Sequence, residues 1–232
     1  MKRIRVAVSV LMLLSFTDQV FSAAISLSPL DQGSYLPGGI ASPENALGSY
    51  EAGQLNNGLT EGRVNFFVFD LSGISDEITG FELFLEIPEE GVLLDSGRSS
   101  VTYRPRIITD GSIVSDLSTD TTSQAAYDAL EGSGFVIGFP RIRESSEGSI
   151  ISISSSAEIW LDLLNSANGL IAIGGAVSNS GFQNPSAEYS AFAGTSFSSD
   201  VSLVITTIPV PAAAWLFGSA LGLLGWVKRS SV

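Results

Sequence analysis

Two pairs of neighbouring carboxylates, Asp76-Glu77 and Glu89-Glu90, come nearest to a catalytic arrangement in this chain. A glycosidase holds two carboxyl groups about 5 to 9.5 Å apart and keeps one of them protonated. Both pairs stand beside turn residues, Gly73 before the first and Pro88 and Gly91 around the second, where solvated charge is the ordinary explanation. The 232 residues include no histidine and no cysteine. That inventory removes Ser-His and Cys-His nucleophilic pairs and the usual ligands of zinc and copper. Calcium needs only hard oxygen ligands, but no D-x-D-x-D-G loop occurs, so a site would draw on loops distant in sequence and no ligands are assigned. The expectation is a non-enzyme without catalytic residues or cofactor, calcium being the one ion that the composition admits.

Sugar is gripped by exposed aromatics, and Tyr35, Tyr50, Tyr103, Tyr127 and Tyr189 are the candidates, with four or more expected to be core or rim. Phe84 is set apart by standing on an otherwise acidic strand face. Arg104 and Arg106 share a face of an extended strand, as do Arg141 and Arg143. In so acidic a chain these arginines are expected to pair with local carboxylates rather than to recognise an anion.

The elements that must carry these residues are mostly strands. Residues 63–71, RVNFFVFDL, set apolar side chains on both faces (Val64, Phe66, Val68 against Phe67, Phe69, Leu71) and predict a central strand covered on both sides. Residues 79–88 alternate, with Phe81, Leu83, Leu85 and Ile87 opposite Glu82, Phe84 and Glu86, as a half-buried strand does. Short strands are expected near 25–28, 92–94, 101–106, 107–114, 149–154, 189–192 and 201–206, and a buried one at 135–139. The strand at 170–177 contains Gly174-Gly175, which points to a bulge or a close backbone approach. Residues 29–60 read as long loops, of which 33–57 carries aromatics that place it on the body. Helices are predicted over 121–132, capped by Thr121 or Ser123, and over 157–167, where Ser155 and Glu158 have capping-box spacing. About nine strands with two short helices in connections predict an all-β, two-sheet β-sandwich, jelly-roll-like.

The two ends have another character. Lys2, Arg3 and Arg5 precede an apolar run, 6–16, and small-residue site 20–22, the layout of a signal peptide cut between Ser22 and Ala23. Residues 201–227 contain no charge, and Lys228 and Arg229 follow as a membrane stop. Twenty mainly apolar residues span a bilayer's ~30 Å hydrocarbon layer, so 208–227 suffices. Pro209 and Pro211 fit only a first turn, which puts the transmembrane helix at 211–227. The alternative, a helix buried in a globular core, would have to be the last element, flanked by a basic tail and with no polar face at all. The domains are therefore a leader, 1–22, an exported sandwich, 23–207, and a carboxy-terminal segment, 208–232. Six arginines against 23 carboxylates leave the middle segment at −17. Basic ends and an acidic middle follow the positive-inside rule, and no basic patch exists for nucleic acid.

The tail, IPVPAAAWLFGSALGLLGWVKRS, resembles the carboxy-terminal sorting signal of PEP-CTERM proteins in its V-P-x-P-A-A variant. The likeness rests on Pro209, Val210, Pro211, Ala212, Ala213, Trp215 and Gly218, and departs in having Ile208 before the first proline and only two basic residues at the end. It implies an inner-membrane precursor recognised and cut by an exosortase-type protease, with the body released to the cell surface or matrix. The body is similar to a group of PEP-CTERM proteins whose sandwich resembles carbohydrate-binding modules, through FFVFDLS (66–72) and L-N-x-A-x-G-L-I-A-I-G-G (164–175). That group has no assigned activity. The expected role is a non-catalytic surface or matrix protein contacting extracellular polysaccharide; a structural or adhesive envelope protein without sugar specificity is the alternative, and a secreted hydrolase ranks last.

Overall fold

A strand with apolar side chains on both faces needs a layer on each side, and the chain supplies both. The computed structural model describes residues 22–43, 45, 49–56, 60–94, 99–155, 161, 164–165, 169–178, 188–193 and 200–208. One sheet has the order β1 (Ala23–Leu27), β14 (Val201–Ile208), β6 (Glu77–Glu86), β11 (Ile150–Ser155). The other runs β10 (Arg141–Ile142), β8 (Val101–Ile108), β12 (Leu170–Ser178), β5 (Thr60–Asp70), β4 (Ala52–Asn56), β13 (Tyr189–Ala191), β7 (Leu93–Leu94). β2 (Asp31–Leu36) also pairs with β5 and with β3 (Ile40–Ala41), and β9 (Phe135–Val136) pairs with β8. The expected two-sheet sandwich is present.

β5 divides its side chains as its sequence requires. Phe67, Phe69 and Leu71 join Phe81, Leu83, Leu85 and Ile87 of β6 and its exit in the core between the sheets. Val64, Phe66 and Val68 face the other way, into a second core under α1 (Gly111–Leu117), α2 (Gln124–Asp128) and the π-helical turn Ala129–Ser133. Val114, Leu117, Ala126 and Leu130 fill that layer. The four-stranded sheet has no such cover among the described elements: its inner face is buried, while Glu82, Phe84 and Glu86 lie half-exposed on the outer one.

Four expectations are corrected. Residues 107–114 are not one strand: β8 continues to Ile108, and Asp110 then caps α1 by accepting from the Ser112 and Ile113 amides. Pro105 does not break β8, because its carbonyl, and hence its missing N–H, faces the β9 side, where the carbonyl accepts from Ile137. Residues 135–139 are not a buried strand: only Phe135 and Val136 pair, and Phe139 is 66% exposed. Residues 33–57 are not all loop, since β2 and β4 both pair along β5. The helix expected over 121–132 is α2 with its π turn; Ser123 caps it, its hydroxyl accepting from the Ala126 amide at 3.3 Å. Of the helix expected over 157–167, Leu161, Leu164 and Asn165 have helical backbone; of its expected capping box, Ser155 is the last residue of β11 and Glu158 lies outside the described residues.

Candidate functional site

β6 holds the two carboxylate pairs apart rather than together. Glu77 opens the strand, and Glu89 and Glu90 lie in the turn beyond its far end. Nine residue steps at about 3.3 Å separate the ends of the strand by roughly 30 Å, far beyond the glycosidase spacing. Among the described residues no three or more Asp or Glu side chains come together to hold a metal ion.

The tyrosines point inward. Tyr35, Tyr50 and Tyr103 are buried, and Tyr127 and Tyr189 are half-buried. Tyr35 donates to the carbonyls of Thr121 (2.8 Å) and Asp116 (3.1 Å), tying β2 to the end of α1. Burial, with Asp120, Asp116 and Asp31 nearby, pushes its phenol up. Asp31 is itself pushed up, first by burial and then by Asp120, against the Gln32 amide that its carboxylate accepts. Tyr50 packs edge-on against Phe67 at 4.9 Å and donates to the Glu86 carbonyl, bridging the sheets. Tyr35, Tyr50 and Tyr103 therefore offer no stacking face to solvent.

The arginines behave differently from expectation as well. Arg106 is buried and donates to three backbone carbonyls, Leu130 (3.1 Å), Gly134 (3.2 Å) and Glu131 (2.9 Å). It satisfies the end of the π turn, whose carbonyls have no helical partner. Carbonyls, not carboxylates, are its partners. Arg104, Arg141 and Arg143 are exposed. Among the described residues, Arg63 pairs with Glu51 at 2.8 Å, both nearly buried.

A polar knot inside the sandwich was not foreseen. Asn65 is fully buried; its Oδ1 accepts from the Tyr103 hydroxyl (2.7 Å) and the Gly175 amide (3.0 Å), and its Nδ2 donates to the Tyr50 carbonyl (3.2 Å). Burial raises the Tyr103 phenol, with the Asn65 hydrogen bond opposing. The signal for it was in the sequence: one amide inside the apolar run RVNFFVFDL. Gly174 and Gly175 make the close approach expected of them, since a Cβ on either would fall on the Asn65 or the Arg104 carbonyl oxygen.

The outer face of the four-stranded sheet sets one aromatic among polar side chains. Register puts Phe84 between Ser152 of β11 and Ser202 of β14 in one cross-strand row. The next row is Ser154, Glu82, Val204 and Ser26, and Glu86 and Ile150 pair on the other side. Ser26, Ser152 and Ser154 are exposed, and Glu82, Phe84, Glu86, Ser202 and Val204 half-exposed. One aromatic face ringed by hydroxyls and carboxylates can stack on an apolar sugar face while accepting and donating around it. The odd position of Phe84 was legible; the hydroxyls beside it come from strands 68 and 118 residues away, which no local pattern reveals.

Of the sorting residues, Ser22 is described and Ala23 opens β1. Pro209, Val210, Pro211, Ala212, Ala213, Trp215, Gly218, Lys228 and Arg229 lie outside the described residues, as does the leader through residue 21. Among the described residues no helix is long and apolar enough to cross a membrane.

No family model and no curated protein matches the chain. Among solved structures it is similar to the M60 catalytic domain with CBM51-1 and CBM51-2 domains of Clostridium perfringens ZmpB, at 14% identity and a TM-score of 0.27, over 82% of this chain and 15% of that one. It is similar also to the K1 cleaved adhesin domain of Lys-gingipain from Porphyromonas gingivalis W83, at 11% identity and a TM-score of 0.33, over 79% and 97%. At those scores neither likeness carries an argument about fold or function.

Proposed function

We propose that this chain is a non-catalytic exported surface or matrix protein of the PEP-CTERM kind, cut from an inner-membrane precursor by an exosortase-type protease. The observation that carries the reading is the ordered set of Pro209, Pro211, Trp215, Gly218 and Lys228-Arg229 around an uncharged segment of spanning length. The acidic middle segment between basic ends supports it. Mass spectrometry of the mature protein in its native host is the test: a carboxy terminus within 209–213 is expected, and an intact Val232 in the envelope overturns processing.

The body contacts extracellular polysaccharide through the open face of the four-stranded sheet, with Phe84 as the stacking group and Ser152, Ser202, Glu82 and Glu86 around it. Residues 23–208 are expected to be retarded in gels containing matrix polysaccharide, and Phe84→Ser to abolish the retardation while leaving the melting temperature nearly unchanged. Equal mobility of parent and Phe84→Ser on every polysaccharide that retards either one removes this face from the reading. Phe139 and Ile150, 66% and 59% exposed, favour the adhesive alternative without sugar specificity. In that case Phe139→Ser, not Phe84→Ser, lowers attachment.

A further inference from the structure

The register of the four-stranded sheet brings both ends of the body to one place. Ala23, which follows the leader, is the Cα partner of Thr207, and Ile208 is the partner of Glu77. β14 is thus hydrogen-bonded on both sides up to the last residues before Pro209. The segment 71–76 joins β5 to β6 at this same end, where the Leu71 amide donates to the Gly169 carbonyl and Asn165 brackets Ile78 by both its amide atoms.

If the spanning helix begins at Pro211 or Ala212, only Pro209, Val210 and Pro211 separate it from the folded strand. Three residues reach at most about 11 Å in any conformation. The polar layer on each side of a bilayer's hydrocarbon is itself roughly 5 to 7 Å deep. The end of β14 is therefore held within a few ångströms of the headgroups. The antiparallel ladder puts the start of the body, Ala23, at this same end beside Thr207.

We propose that the end of the sandwich formed by Ala23, the segment from Asp70 to Ile78 and Ile208 is the surface that faces the lipid bilayer in the membrane-held precursor. The assignment rests on the reading of the tail as a membrane span. Ile208 and Leu170, 40% and 39% exposed, are the apolar residues it presents. Asp70 and Glu77 are exposed there, and the nearest described arginine in the ladder, Arg106, is four positions back at Gly174 and engaged with carbonyls. Among the described residues this end therefore presents no cation to anionic lipid, and the covalent tail keeps it there. Cutting the tail frees the body.

The chain has no cysteine, so single labels report cleanly. Full-length protein carrying Ser75→Cys or Ser145→Cys is labelled with a fluorophore and reconstituted into vesicles containing nitroxide-headgroup lipid. Ser75 lies at the proposed face; Ser145 lies beyond the opposite end of β6, where the Gly148 amide donates to the Ile87 carbonyl. The label at 75 is expected to lose most of its fluorescence and the label at 145 little, and a long Gly/Ser spacer between Ile208 and Pro209 is expected to restore the signal at 75. Floating vesicles with protein inserted but with equal quenching at both sites, or stronger quenching at 145, overturn the face assignment alone. Protein that does not float with the vesicles overturns the span, and the face with it.

Discussion

Replacing Asn65 by leucine separates the polar knot from the apolar core around it. The side chains are close in size, so the change chiefly removes hydrogen bonds: two that Oδ1 accepts, from Tyr103 and Gly175, and one that Nδ2 donates to Tyr50. Each buried group left without a partner costs about 1–3 kcal/mol. The three lost hydrogen bonds together cost up to about 3–9 kcal/mol, a large part of the roughly 5–15 kcal/mol that holds a domain folded. Tyr103→Phe alone leaves Oδ1 bonded to the Gly175 amide and costs about 1 kcal/mol. In the double variant the Tyr103 hydroxyl is no longer there to be orphaned, so the loss is smaller than the sum by about 1–2 kcal/mol. Urea unfolding of residues 23–208 and the three variants, followed by far-ultraviolet circular dichroism, measures all four corners. An Asn65→Leu cost below about 1 kcal/mol, or strict additivity with Tyr103→Phe, refutes the view that this knot is a coupled unit.

Gly174→Ala drives a Cβ onto the Asn65 carbonyl and is expected to cost about 3 kcal/mol or more, whereas Gly111→Ala at the start of α1 meets open space and is expected to gain about 0.4–1 kcal/mol; thermal melts compare them. Arg106→Ala strips three carbonyls of their donor and is expected to cost about 2–3 kcal/mol, with faster hydrogen exchange confined to α2 and the π turn; Arg106→Lys recovers only part, because one ammonium cannot span three carbonyls. Asp31 has its folded pKa raised, so its neutral form favours the fold. That contribution is complete below the unfolded carboxylate pKa and is lost as pH rises through the folded value. Asp31→Asn should therefore raise the melting temperature at pH 7, and the gain should vanish toward pH 3; a gain independent of pH contradicts the shift.

What the sequence made legible is what repeats with the period of its element. β5 and β6 were readable to the side chain, because RVNFFVFDL loads both faces of a strand and FELFLEI loads one. β2 and β4 were not, because DQGSYL and AGQLN carry little apolar alternation and become strands only by pairing with β5. The β-branched pair Ile113-Val114 suits a strand as well as α1, while the helix start is written in Asp110, whose carboxylate accepts from the Ser112 and Ile113 amides. The composition of 135–139 looked buried, yet Gly138 and Pro140 end the pairing and leave Phe139 outside. The face proposed for binding is legible in the sequence only as the anomaly of Phe84; its neighbours follow from register, which is a property of the whole sheet.

The place of β14 in its sheet sets the timing of assembly. It lies between β1 and β6, whose residues precede it by more than 100 positions, so it closes the sheet from the middle. Contacts this remote form late and slowly. A ribosome or a translocation channel delivers residues 201–208 after nearly everything else, and until then β1 has no neighbour and β6 lacks one of its two. The four-stranded sheet therefore stays open until β14 arrives and locks when it does.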